Sequence, residues 1–382
     1  MNILGYVEQF GNESFEERPF NNVDAVILSQ LSYLNFDIFG KTNDNCPIYL
    51  KNIQPPLYKQ LAAGEFTTRK NIKLLTLLKS SIRFRNVGVS FVRRNQSIVR
   101  EEQFFAITSI LPNGDFYMAF RGTDLTMVGW KEDANMAFMD VVPSQASALK
   151  YVKEVTSKLK GNFYIGGHSK GGNLAFYSHV FMGKELLHRC IRAYSLDGPG
   201  FFDLKDKYSK TYIETHQKMT KLVPQNSIVG IMLSTLKNCD IVYSTYMGIF
   251  QHDPYSWQID KSTKDFIYRK RRTRESYIIE RMLYTWVHSL SQEDRIFAAD
   301  AIFVLMGGLD MTLKEFIKVP LTRIKNFIEV QKNATEEQKE KFISIFKLLI
   351  YHHKLARRYY QRHQAIARKS RKQLKENDYA RI

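Results

Sequence analysis

Apolar residues recur at helical spacing in the first part of the chain and at strand spacing from residue 87 onward. After the capping residues Asn21 and Asn22, the apolar positions predict an amphipathic helix over residues 23–34, and a second helix is predicted over residues 66–80. Strands are predicted over residues 87–92, 103–110 and 116–120. The turn-forming pair Asn113-Gly114 joins the last two strands, so we expect them to form a hairpin.

Strands and helices alternate over the middle of the chain. A helix predicted to be capped by Ser144 leads into a short apolar strand that ends before Ser169, and another helix follows. Three further strands are predicted over residues 191–196, 219–223 and 241–245. This alternation favours an α/β fold with a mostly parallel sheet and right-handed crossovers, whose functional loops lie at the carboxyl ends of the strands.

The strand pattern stops near residue 261, where helical spacing takes over. Helices are predicted over residues 263–290, 291–307, 311–330 and 335–376. We therefore predict an α/β domain over residues 1–260 and an all-helical subdomain over residues 261–382.

Composition narrows the class of protein. Apolar residues make up 44% of the 382-residue chain, which is typical of a globular protein. The N-terminus lacks the features of a signal peptide and no run of about 18 apolar residues occurs, so a soluble cytoplasmic protein is expected. The cysteines Cys46, Cys190 and Cys239 are far apart and predict buried thiols. No Cys, His or Asp cluster has ligand spacing, so neither metal nor organic cofactor is expected.

Positive charge is concentrated at the C-terminal end. Of the net charge of +18, residues 261–382 carry +13, and residues 351–382 contain ten basic and two acidic residues. An anionic partner such as a membrane surface, a nucleic acid or an acidic protein would fit this charge, and so would a solvated helix face. Apolar residues are too sparse for strong membrane insertion, which leaves peripheral membrane contact. Nucleic acid is not expected, because no recognised binding module accompanies the charge.

The most informative motif is Gly167-His168-Ser169-Lys170-Gly171, a G-x-S-x-G pentapeptide between a predicted strand and a predicted helix. In this context it is typical of a nucleophile elbow, a turn so tight that the residues around the serine must be small. The elbow exposes the serine Oγ and points the next backbone N–H at a developing oxyanion.

A second motif, Phe120-Arg121-Gly122-Thr123, ends a predicted strand upstream of the serine. Hydrolases with a nucleophile elbow take one oxyanion-hole donor from such a loop and the other from the residue after the serine. Thr123 and Lys170 are therefore candidate oxyanion-hole residues. The alternative is an ordinary strand-to-loop turn with Arg121 in an ion pair.

Together these motifs resemble the class 3 lipases, the fungal triacylglycerol lipase type. The resembling segments are Phe120-Arg121-Gly122-Thr123, Trp130-Lys131-Glu132-Asp133 and the run from Gly167 to Ala175. An uncharacterised bacterial family related to those lipases is closer still, through residues 19–24 and 251–257. The resemblance covers roughly residues 1–260 and implies an α/β-hydrolase fold with Ser169 as nucleophile.

The resemblance implies that the catalytic histidine follows the acid in the chain. We expect His252, which lies in a loop after the last predicted strand, over His179, His188 and His216; the alternative is a structural loop histidine. His168, inside the elbow, is expected to be a packing residue.

The acid departs from the lipase pattern, because Ser227 stands where the family has aspartate. Asp197, directly before Gly198-Pro199-Gly200, is the first candidate for the acid and Asp240 the second; Asp197 would otherwise only cap its turn. Lys170 replaces the leucine of the lipases, and its side chain is expected at the surface.

These features predict a serine hydrolase that cleaves a lipid or another carboxylic ester through a Ser-His-Asp triad and an acyl-enzyme. The alternative hypothesis is a catalytically weak, hydrolase-like scaffold that binds an anionic partner through its basic C-terminal helices.

Overall fold

The computed structural model describes residues 1–40, 46–63, 68–123, 132, 135, 136, 139, 141–201, 209–233, 239–305 and 334–379. Within these residues the strands are β1 (Ile48–Tyr49), β2 (Gly88–Ser97), β3 (Glu102–Ile110), β4 (Phe116–Phe120), β5 (Phe163–His168), β6 (Cys190–Leu196), β7 (Met219–Pro224), β8 (Asp240–Val242) and β9 (Tyr268–Arg269). The helices are α1 (Ile3–Phe10), α2 (Asn22–Leu31), α3 (Tyr58–Leu61), α4 (Thr68–Ser80), α5 (Pro143–Lys158), α6 (Lys170–Phe181), α7 (Lys184–Arg189), α8 (Ser209–Thr215), α9 (Arg274–Ser289), α10 (Gln292–Leu305) and α11 (Glu336–Tyr379).

All the described strands belong to one sheet, in which their spatial order equals their order in the chain. The five central strands, β4 to β8, pair in parallel. The strands from β1 to β4 pair antiparallel, and so do β8 and β9. The prediction of an α/β fold with a parallel centre is confirmed, as is the hairpin in which Ile110 pairs with Phe116.

Helices cover both faces of the sheet, and the residues of β4 contribute alternately to the cores on the two faces. Tyr117 and Ala119 face a core formed with α1, α2 and α4, whereas Phe116, Met118 and Phe120 face a core formed with α5 and α6. Alternate side chains of a strand point to opposite faces, so a run of apolar residues is needed where both faces are buried.

Several predictions about the elements were wrong. The helix expected over residues 263–290 begins only at Arg274, because Tyr268–Arg269 pair with β8 as an edge strand. The expected cap Ser144 lies inside α5, which begins at Pro143. Of the three free cysteines, Cys190 is buried but Cys46 is exposed.

The C-terminal part consists of helices where the structure describes it, since α9, α10 and α11 follow β9. The helix predicted over residues 311–330 lies outside the described residues. Across the ranges given above, no helix combines the length and the apolar character needed to cross a bilayer.

The buried His179 in α6 makes stability depend on pH. Burial lowers its pKa from 6.5 to about 4, and its Nε2 donates to the Thr215 carbonyl at 3.1 Å. Well above pH 6.5 the histidine is neutral in both the folded and the unfolded chain. As the pH falls from 6.5 to 4, the unfolded chain takes up a proton that the folded chain does not, so stability is lost.

We predict that the free energy of unfolding falls by roughly 3 kcal/mol across this range because of His179. Urea unfolding at a series of pH values measures the loss. His179→Gln, which does not titrate, should flatten the profile between pH 6.5 and 4 relative to the unchanged protein. An equally steep profile in the variant would contradict the assignment.

Candidate active site

Ser169 lies in the sharp turn between β5 and α6. Its backbone has φ +58° and ψ −132°, a conformation that side-chain-bearing residues rarely adopt. Its N–H donates to the Leu196 carbonyl at 2.9 Å, which holds the turn against the end of β6. Small neighbours are required here, because a Cβ at Gly171 would lie 2.1 Å from the Phe120 carbonyl oxygen. The geometry is that of the strained elbow that the motif predicts.

The loop after β4 meets the same turn. A Cβ added at Gly122 would lie 2.9 Å from Ser169 Cβ and 2.7 Å from the His168 carbonyl oxygen, so the glycine permits this close approach. Thr123 follows directly and is half-buried. On the other side of the serine, Lys170 opens α6, where the first N–H groups of a helix have no intrahelical acceptor. The backbone around both candidate oxyanion-hole residues therefore flanks Ser169.

The structure brings His252 to Asp197. His252 Nδ1 lies 2.7 Å from Asp197 Oδ2, and Asp197 follows the last residue of β6 with its side chain buried. Asp240, the second candidate acid, begins β8 and is exposed. Of the two candidate acids, Asp197 is thus the one whose carboxylate contacts His252.

Ser227 and Gly230 hold the other carboxylate oxygen. Ser227 Oγ donates to Asp197 Oδ1 at 2.5 Å, and the Gly230 N–H donates to it at 3.1 Å. A Cβ at Gly230 would lie 2.2 Å from this oxygen, so a larger residue would displace the carboxylate. Ser227, which stands in the sequence where the resemblance to lipases implied an aspartate, therefore contacts the Asp197 carboxylate. Sequence reasoning singled out Ser227 but missed this donor role.

His168 positions the main chain of His252. Its Nε2 lies 2.7 Å from the His252 carbonyl oxygen, so this nitrogen carries the proton, and Nδ1 accepts from Tyr33 Oη at 2.8 Å. The two imidazole rings lie 4.3 Å apart. Burial holds the pKa of His168 well below 6.5, which keeps it neutral. Tyr33, just after α2, belongs to no motif, and sequence reasoning missed it.

The loop around His252 is fixed by its own residues. Asp253 Oδ1 accepts the Tyr255 N–H at 3.0 Å and caps a short 3-10 turn that Pro254 opens. Asp253 Oδ2 also pairs with Lys70 Nζ at 2.6 Å. Indole Nε1 of Trp257 donates to the Gln251 carbonyl at 2.8 Å. His252 is therefore presented by an ordered loop.

The prediction for the Lys170 side chain was wrong, because it is buried and not at the surface. Its Nζ donates to Glu132 Oε2 at 3.0 Å and to the Gln103 carbonyl at 2.8 Å, and the side chains of both ion partners are fully buried. Glu132 Oε1 accepts from Ser144 N and Oγ at 2.8 and 2.6 Å. The charge is thus paired inside the protein and ties the elbow helix to β3 and α5.

The other candidate histidines lie elsewhere. His179 is buried in α6, and His188 is in the last turn of α7. His216 Nδ1 donates to the Ile213 carbonyl at 2.6 Å. Asp133 and Trp130 lie outside the described residues. In the described part of the chain, no group of three or more His, Cys, Asp or Glu side chains could hold a metal ion.

Ser169, Asp197 and His252 all lie in a part of the chain that matches a known protein family. The family model described as Mbeg1-like matches residues 78–304. A structure of the Rhizomucor miehei lipase propeptide complex has 14% identity and a TM-score of 0.38, over 67% of this chain and 74% of that one. A crystal structure of M37 lipase has 13% identity and a TM-score of 0.32, over 64% and 84%. No curated protein matches the chain.

The buried Lys170–Glu132 pair predicts a strong response to the loss of one charge. We expect Lys170→Leu to lower the free energy of unfolding by about 3–5 kcal/mol, because Glu132 is left buried without its counterion. Lys170→Leu with Glu132→Gln removes both charges and should recover much of that loss. Chemical denaturation measures both variants. A single variant as stable as the unchanged protein would contradict the buried pair.

Proposed function

The chain belongs to the Mbeg1-like family, and we propose that it is a serine hydrolase that cleaves a carboxylic ester through an acyl-enzyme. The observation that carries the proposal is the 2.7 Å contact between His252 Nδ1 and the buried Asp197 carboxylate. The strained backbone of Ser169, which is that of a nucleophile elbow, supports it. The resemblance to class 3 lipases supports the same chemistry. Ser169, His252 and Asp197 are proposed as nucleophile, general base and acid.

In the proposed first step, His252 Nε2 takes the proton from Ser169 Oγ as this oxygen attacks the ester carbonyl carbon. The N–H groups of Thr123 and Lys170 bind the oxyanion of the tetrahedral intermediate. The intermediate collapses, and the leaving alkoxide takes the proton from His252. The acyl group then remains on Ser169.

In the proposed second step, His252 deprotonates a water molecule that attacks the acyl-enzyme. Collapse of the second tetrahedral intermediate returns the proton to Ser169 and releases the carboxylic acid. Asp197 accepts from His252 Nδ1–H throughout and stabilises the imidazolium. Because Ser227 and Gly230 bind Oδ1, the carboxylate is oriented with Oδ2 toward His252.

Exposed apolar side chains before His252 support an apolar ester as substrate. Met247 is 82% exposed and Phe250 is 70% exposed, and Ile249 lies between them. Neighbouring exposed apolar side chains mark binding surfaces, and an acyl chain would cover them. We propose a lipid or another ester with an apolar acyl group, together with peripheral contact between the basic helix α11 and an anionic membrane.

A fluorophosphonate probe tests the proposal directly, because it reacts with a serine that a general base activates. We predict covalent labelling of the folded protein, detected by intact-mass spectrometry, with peptide mapping to Ser169. Ser169→Ala should not be labelled, whereas Ser178→Ala, which changes another serine of α6, should label as the unchanged protein does.

Absence of labelling in the folded protein would overturn the proposal. Circular dichroism of each variant keeps this outcome separate from misfolding. Hydrolysis of p-nitrophenyl esters of increasing chain length then tests the apolar acyl group, and Phe250→Ser should reduce the preference for longer chains.

A further inference from the structure

A cleft of about 640 Å³ lies between α9 and α11, in the part of the chain where the positive charge is concentrated. Its walls combine cations and tyrosine rings, chiefly Arg271, Arg272, Arg281, Tyr277, Tyr359 and Tyr360. The cleft is separate from the contact between His252 and Asp197, and no step of the proposed hydrolysis uses it.

Tyrosine rings hold the guanidinium groups in place. The Arg281 guanidinium lies 4.1 Å from the ring centre of Tyr359, and that of Arg272 lies 4.4 Å from Tyr277. Tyr277 in turn stacks on Tyr360 at 6.4 Å. A guanidinium that stacks through its face keeps the N–H groups at its edge for a ligand. Arg272 and Arg281 are thus held by the rings before a ligand arrives.

The cleft carries a surplus of positive charge. Its one lining carboxylate, Glu280, pairs with Arg272, whose side chain is only 8% exposed. Arg271 and Arg281 are exposed, and within the ranges that the structure describes neither makes an ion pair with a carboxylate. The exposed guanidinium groups of Arg271 and Arg281 therefore lie beside tyrosine ring walls, and that of Arg281 is held by its stacking on Tyr359.

We propose that this cleft binds a phosphate group attached to an organic moiety. Planar guanidinium groups match the oxygens of a phosphate in bidentate geometry, and the surplus of positive charge attracts an anion. The tyrosine rings would pack against the attached moiety. Two sources share this chemistry, a soluble organic phosphate and the headgroup of an anionic phospholipid.

The position of the cleft determines which residues can be used to test it. Arg272 Nη1 donates to Ser276 Oγ at 3.1 Å, and Ser276 Oγ donates to the Ser227 carbonyl at 2.9 Å. A change at Arg272 would therefore disturb the residue that holds Asp197. Arg271 and Arg281 have no such connection among the described contacts, so they are the residues to change.

The test compares two variants that remove equal charge. The cleft variant carries Arg271→Gln and Arg281→Gln. The control carries Lys354→Gln and Arg358→Gln, which change exposed residues of α11 that do not line the cleft. Binding is measured by calorimetry with the soluble probe glycerol 3-phosphate, and by co-sedimentation with phosphatidylcholine vesicles with and without phosphatidic acid.

We expect the full chain and the control to bind at least one phosphate probe, and the cleft variant to bind it about ten-fold or more weakly. Binding of glycerol 3-phosphate would identify the ligand as a soluble organic phosphate. Binding only to the vesicles that contain phosphatidic acid would identify it as a phospholipid headgroup. Tyr359→Leu keeps every charge but removes the ring under Arg281, and it should weaken binding in the same direction.

Equal losses in the cleft variant and the control would overturn the proposal, because binding would then follow net charge alone. The proposal would also be overturned if the full chain bound neither phosphate probe. Circular dichroism and thermal unfolding establish that each variant is folded. Since binding is the readout, the result does not depend on whether Ser169 is reactive.

Discussion

The proposed chemistry depends on the orientation of one buried carboxylate. The Asp197 side chain is buried, and both of its carboxylate oxygens have protein partners. Oδ1 accepts from Ser227 and Gly230, and Oδ2 lies 2.7 Å from His252 Nδ1. A carboxylate bound through both oxygens cannot rotate away from the imidazole without breaking a hydrogen bond in a buried site. The orientation of Asp197, at the end of β6, therefore depends on two hydrogen-bond donors that follow β7 in the chain, Ser227 and Gly230.

Two structural units converge on this carboxylate. The sheet sets the positions of Ser169 and Asp197, since adjacent parallel strands β5 and β6 end side by side. The helical part contributes through α9, where Ser276 Oγ donates to the Ser227 carbonyl at 2.9 Å and the Thr273 N–H donates to the Gln225 carbonyl at 2.7 Å. The loop that holds the acid is thus itself held by the helix that lines the arginine cleft.

Local sequence predicted what depends on local geometry. The strand, turn and helix around Ser169 follow from glycine spacing and apolar runs, and β4 was predicted with its observed bounds. The missed features depend on contacts between distant residues: Lys170 is buried because Glu132, 38 positions away, supplies the countercharge, and Ser227 reaches Asp197 across 30 positions. The two-residue strand β9 has too short a pattern to distinguish it from the helix that follows.

The rate of Ser169 labelling in Asp197→Asn, compared with Asp240→Asn, tests the central claim most directly. The asparagine keeps the shape of the acid but cannot stabilise an imidazolium, and the corresponding change in a serine protease triad costs about 10⁴-fold in rate. The account predicts that labelling in Asp197→Asn is slower by at least several hundred-fold, and that labelling in Asp240→Asn proceeds within about two-fold of the rate in the unchanged protein. Equal rates in Asp197→Asn and the unchanged protein, with both folded, would contradict the account.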